Sequence, residues 1–147
     1  MTPKPPMFGS PTHGLPLPLQ FLARARLFMK FAIGGVAYDN GEMNWPKYAL
    51  LLQAIELALK ACCLQDGRAE PKGLHNHDLK GRYEFACQCG LPGMPDIAAH
   101  LDILGPVHLD SSKRYPKGKA IYELASIAEE AAEAIINAVG PLIRRPQ

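Results

Sequence analysis

Residues 49–64 read Ala-Leu-Leu-Leu-Gln-Ala-Ile-Glu-Leu-Ala-Leu-Lys-Ala-Cys-Cys-Leu, and the spacing within this run decides the fold. Leu51, Leu52, Ile55, Ala58, Leu59 and Cys62 recur at steps of three and four, which places them on one face of a helix. Upstream, Asn44 can accept a hydrogen bond from the free N–H groups of a first turn, and Pro46 suits that turn because its missing N–H would have no partner there. Asp66-Gly67 closes the segment after about 33 Å of helical rise. Gln53, Glu56 and Lys60 interrupt the apolar run before it reaches the ~20 residues that a bilayer requires. The stretch therefore reads as the central helix of a bundle, not as a membrane span.

Working outward, the neighbouring segments show the same period. After Pro18, Phe21, Leu22, Ala25, Phe28, Met29, Ala32, Ile33 and Val36 predict a first helix to about Tyr38, with Gly34-Gly35 inside it as a point of close backbone packing. A polar loop over 67–76 leads to a third helix from about His77 to Cys89, with Asp78 in its first turn. Pro95-Asp96 opens a short fourth helix that the pattern ends at Gly105-Pro106, and Ile121, Leu124, Ala128, Ala131, Ile135 and Ala138 make a fifth that ends at Gly140-Pro141. Valine occurs only at 36, 107 and 139 and threonine only at 2 and 12, so strand formers are too scarce for a sheet. The expectation is an all-α, antiparallel up-and-down bundle of about five helices over residues 18–140. It is flanked by an extended proline-rich tail at 1–17 and a short tail at 141–147.

Composition bounds the function classes. With 147 residues, 48% apolar and 20% charged, the chain has the make-up of one globular domain that folds without disulfide or metal support. A net charge of +2 is too small for a general nucleic-acid surface, so any basic site must be local. The opening Met1-Thr2-Pro3-Lys4-Pro5-Pro6 lacks the continuous apolar core of a secretory signal, which makes a cytoplasmic protein with reduced thiols the expectation. Cys62-Cys63, His75-Asn76-His77 and Cys87-Gln88-Cys89 do not have the spacing of a zinc knuckle or ribbon, and neither a metal site nor a cofactor is expected.

If successive helices alternate in direction, the end of helix two and the start of helix three share a pole with the end of helix four and the start of helix five. That pole would gather Arg68, His75, His77, Asp78, His108, Lys113, Arg114 and Tyr115. Within it, His77 and Asp78 read either as a helix start or as a carboxylate-oriented imidazole suited to proton transfer. Lys113, Arg114 and Tyr115 read either as a solvated loop or as a patch that braces a phosphate and stacks on a base. Glu56 and Lys60 form either a surface pair one helical turn apart or, because Glu56 lies in so apolar a run, a buried polar contact completed by a His or Arg from a neighbouring helix.

Three of these stretches, Ala54-Ile55-Glu56-Leu57-Ala58-Leu59-Lys60-Ala61, His77-Asp78-Leu79 and Arg114-Tyr115-Pro116, occur in an order and separation that resembles the HEPN (higher eukaryotes and prokaryotes nucleotide-binding) family over residues 18–139. The resemblance implies a helical bundle that often forms homodimers. It also implies a gene commonly found beside that of a small nucleotidyltransferase in prokaryotes, with roles in toxin–antitoxin or defence systems and nucleotides or RNA as ligands. Catalytic members are metal-independent ribonucleases with an Arg, four to six intervening residues and a His after helix three. That motif is missing from its expected place: Arg114 leads only to Lys117 and Lys119, while Arg68 and His75, with six residues between them, precede helix three. The resemblance thus implies a binding or interaction module, with Asp78, Lys113, Arg114 and Tyr115 as ligand contacts. An RNA endonuclease using His75 or His77 with Arg68 or Arg114, and a plain helical scaffold, are the alternatives.

Overall fold

A computed structural model describes residues 14–34, 45–75, 77–109 and 119–143. Among these residues five helices make up an all-α bundle: α1 (Leu17–Gly34), α2 (Trp45–Asp66), α3 (Leu79–Gln88), α4 (Pro95–Leu109) and α5 (Lys119–Val139). Among the described residues there is no strand. Helix α2 is the spine, and Leu51, Leu52, Ile55, Ala58, Leu59 and Cys62, the face read from its spacing, are all buried. They pack with Leu22, Ala25 and Met29 of α1 and Ala128, Ala132, Ile135 and Val139 of α5. The segment Pro46–Asp66 has a membrane span's length and apolarity, but most of its surface is covered by the other helices.

The helix ends follow local chemistry and differ from the sequence reading in several places. Asp78 is not within α3 but caps it: its Oδ1 accepts the Gly81 N–H at 2.9 Å, which leaves His77 outside the helix. Helix α4 runs three residues past the expected stop, because Pro106 removes only one backbone donor on an exposed turn while Leu104 before it is buried. Among the described residues nothing approaches the position where a side chain at Gly34 would sit, so none of them supplies the close packing expected there. The stretch from Gly35 to Tyr38 lies outside the described residues. Beyond α5 the chain turns through a 3₁₀ segment, Gly140–Leu142, and buries Ile143, so the packed body reaches slightly past 140.

The strict alternation of direction is interrupted once. Antiparallel pairing holds for α1 with α2, where Leu17 and Phe21 meet Cys63 and Leu64, and for α3 with α4, where Lys80 pairs with Asp102 at 2.8 Å and Tyr83 with Met94 at 2.8 Å. Along α3, however, His77 meets Glu56, the Ala86 carbonyl meets Cys62, and the Gln88 carbonyl meets Arg68, so α3 runs in the same direction as the second half of α2. The cause is the connection 67–78, which leaves α2 and returns alongside it. Gly67 (φ 77°) and Gly73 (φ 85°) supply the left-handed backbone that this reversal needs. Helix α5 also runs with α2, since Lys47 near the start of α2 pairs with Glu129 at the middle of α5, while Leu142, just beyond the end of α5, borders Gln65 and Asp66 at the end of α2.

Candidate functional site

The return of the 67–78 connection brings His77 to the middle of α2. Glu56, in the apolar run of that helix, is 4% exposed. Its Oε1 lies 3.3 Å from Lys60 Nζ, and its Oε2 lies 3.3 Å from His77 Nδ1. Both partners are only partly buried, so a buried carboxylate holds two more accessible nitrogen groups in place. His75 stands beside them: its Nδ1 accepts the His77 backbone N–H at 3.0 Å, and the two imidazole centres are 5.5 Å apart. Its ring is therefore held by the backbone, whereas that of His77 is held by a carboxylate.

Arg68 is elsewhere. Its guanidinium donates to the Gln88 carbonyl at 2.6 Å and lies 3.4 Å from Asp66, at the far end of α3. Helix α2 runs ten residues past Glu56, about 15 Å of rise, before the chain reaches Arg68 just beyond its end. The pairing of Arg68 with His75 or His77 suggested by their spacing therefore does not occur, because the connection carries the histidines back along α2 and leaves Arg68 at its end. Asp78 is committed to its cap. Replacing it with Ala is expected to cost about 1 kcal/mol, measured by urea unfolding, with little change elsewhere. Lys113, Arg114 and Tyr115 lie outside the described residues, as does Asn76.

A second charged cluster borders the first. Arg82, on α3, is 1% exposed, and its Nη1 is 2.9 Å from Oε1 of Glu70, a half-exposed residue of the connection. The sequence does hold a sign of it: Leu79, Arg82, Tyr83 and Ala86 share the spacing of one apolar helix face, so an arginine there must be buried with a partner. Glu70 in turn forms part of a cavity of about 390 Å³ between the start of α1 and the end of α2, whose wall includes Leu17, Phe21, Lys60, Cys63, Leu64, Gly67 and Arg68. The cavity thus combines an aromatic ring, aliphatic side chains and two cationic side chains. The ring of Phe21 also has the Arg24 guanidinium over it, 5.8 Å from its centre.

The four cysteines lie where α2 and α3 end together. Cys62, Cys63 and Cys89 are buried. Burial pushes the Cys62 thiol up to about 11, with the neighbouring Cys89 and Asp66 adding to it. Burial likewise raises Cys63 and Cys89. These are protonated, apolar-like thiols at neutral pH. Among the described residues no group of three or more His, Cys, Asp or Glu side chains is arranged to hold a metal ion. No protein-family model, curated protein or solved structure matches this chain.

Proposed function

We propose that this chain is a nucleotide-binding module of the HEPN type, taking a nucleotide or the end of an RNA strand in the cleft between α1 and α2. The observation that carries the reading is the composition of that cleft, in which Phe21, Leu17 and Leu64 offer a stacking and apolar surface beside the cations Lys60 and Arg68. A base needs the first and a phosphate the second, and about 390 Å³ falls within the range of small-ligand sites. The resemblance to the family extends the proposal to a cytoplasmic homodimer, or a complex with a nucleotidyltransferase, in a prokaryotic toxin–antitoxin or defence system.

Titration calorimetry of the full chain with the four nucleoside monophosphates tests it. Saturable binding is expected, and Phe21→Ala should weaken it about 5- to 100-fold, the range for loss of one base stack. Absence of saturable binding for all four at millimolar concentration refutes the reading.

A second reading, RNA cleavage, has its own support in the Glu56–His77 contact and the adjacent His75. A carboxylate-held imidazole beside another imidazole is the apparatus for moving a proton from a ribose 2′-hydroxyl and onto a leaving oxygen. Cleavage of RNA in the presence of chelator, abolished by His77→Ala, would put this reading first.

A further inference from the structure

We propose that the groove between α1 and α5 binds a short apolar peptide with free ends, its carboxylate at Arg26 and its ammonium at Glu133. The groove has a volume of about 250 Å³ and shares no residue with the α1–α2 cleft. Arg26, Met29 and Ile33 of α1 line one side, and Glu133, Ile136 and Asn137 of α5 the other. On each helix these positions lie three or four apart, so each set forms one face. Met29 and Ile136 are buried and make the floor, while Ile33 is 54% exposed at the rim.

The two charges stand at opposite ends. A Cβ at Gly140 would lie 3.0 Å from Arg26 Nη2, so the missing side chain leaves room for the guanidinium beside the end of α5. Since α1 runs against α2 and α5 runs with it, α1 and α5 are antiparallel. Going forward along α1 from Arg26 leads to Ile33, and going back along α5 from Gly140 leads to Glu133, in both cases over about 10 Å of rise. Arg26 and Glu133 do not pair with each other or with another described residue, and the Asn137 amide has no hydrogen bond to one. A ligand that meets all of these groups is a zwitterion extended over about 10 Å with an aliphatic centre. Three peptide residues have that length, at about 3.3–3.6 Å each. The terminal carboxylate accepts paired hydrogen bonds from the guanidinium, and the terminal ammonium donates to Glu133. Alternation along an extended chain turns the central side chain alone towards Met29 and Ile136. Asn137 carries both a donor and an acceptor, which is what a peptide group needs. A single amino acid, with both charges on one carbon, is too short to reach both ends.

The experiment titrates the isotope-labelled full chain with the tripeptide Ala-Leu-Ala and follows its backbone amide signals by NMR. Saturable shifts are expected at Met29, Ile33, Ile136 and Asn137, with a Kd on the order of 1 mM. Arg26→Met and Glu133→Gln should each weaken binding about 2- to 5-fold, the worth of an ion pair open to solvent. Both positions are exposed, and the spectrum itself reports whether each variant is folded. Ala-Gly-Ala should bind about 10-fold more weakly, for want of the buried side chain. The same Ala-Leu-Ala peptide, acetylated and amidated at its ends, tests the charges without altering the protein, and equal affinity for the capped and free forms overturns the proposal. Shifts confined to the α1–α2 cleft around Phe21, or none that saturate by about 10 mM, overturn it as well. Nucleotide binding in the cleft is measured separately, so failure here leaves that reading standing.

Discussion

Replacing Leu59 with Ala lowers the stability of the fold by about 2–5 kcal/mol, a large share of the 5–15 kcal/mol typical of a native domain. Leu59 is 0% exposed, on the face of α2 that meets the rest of the core. The loss has two parts: the transfer free energy of the three deleted carbons, and the cavity left because a spine packed by several helices cannot collapse onto the gap from any one side. Urea unfolding checks it, as a fall in midpoint at unchanged slope. The contrast is Leu64→Ala, five residues on, where the side chain is 41% exposed and the change should stay near the small values of surface sites. Equal losses at the two positions would mean that α2 is not the spine described above.

Alkaline pH is the second large effect. A thiol or phenol whose folded pKa is raised binds its proton more tightly in the folded state than in the unfolded one. Its contribution is therefore fully present below the unfolded pKa and is lost as pH rises towards the folded value. For Cys62 the window opens near 9 and closes at about 11, and for Cys63, raised further by burial, it remains open beyond that. Both thiols therefore take stability away as pH rises above about 9. Tyr48, whose buried hydroxyl has no hydrogen-bond partner among the described residues and is pushed up to about 12 by burial, adds to the loss from pH 10. Stability should be level from pH 7 to 9 and then fall steeply, read by urea unfolding in the presence of a thiol reductant. Cys63→Ala should make that fall shallower. A curve that stays level to pH 10.5 would show that the thiols are more hydrated than their burial implies.

The helices were legible in the chain because periodicity reports burial directly: the face Leu51, Leu52, Ile55, Ala58, Leu59 and Cys62 needed no tertiary information. The polar demand of Glu56 was legible for the same reason, since a carboxylate in so apolar a run has to find a partner. The direction of α3 was not. A twelve-residue connection is long enough either to cross the end of the bundle or to double back, and nothing in the spacing of its residues chooses between them. That choice carried His77 up to Glu56 and separated it from Arg68, so these two members of the pole read from the sequence do not lie together. Arg82 went unread because an arginine in a helix is ordinarily a surface residue, and only its register with Leu79, Tyr83 and Ala86 marks it as an inward one.

The doubled-back connection also bears on how this protein tolerates change in length. Loops between helices are usually where a chain accepts insertions most freely, but this one is tethered to the core at two points, Glu70 to Arg82 and His77 to Glu56. Extra residues placed next to either tether would slide it out of reach of its partner, while Pro71, Lys72 and Gly73, exposed between the two, lie in the slack. A reporter peptide or a chain break introduced there would spare both contacts, which makes these three positions the entry point for engineering the protein without disturbing either charged cluster.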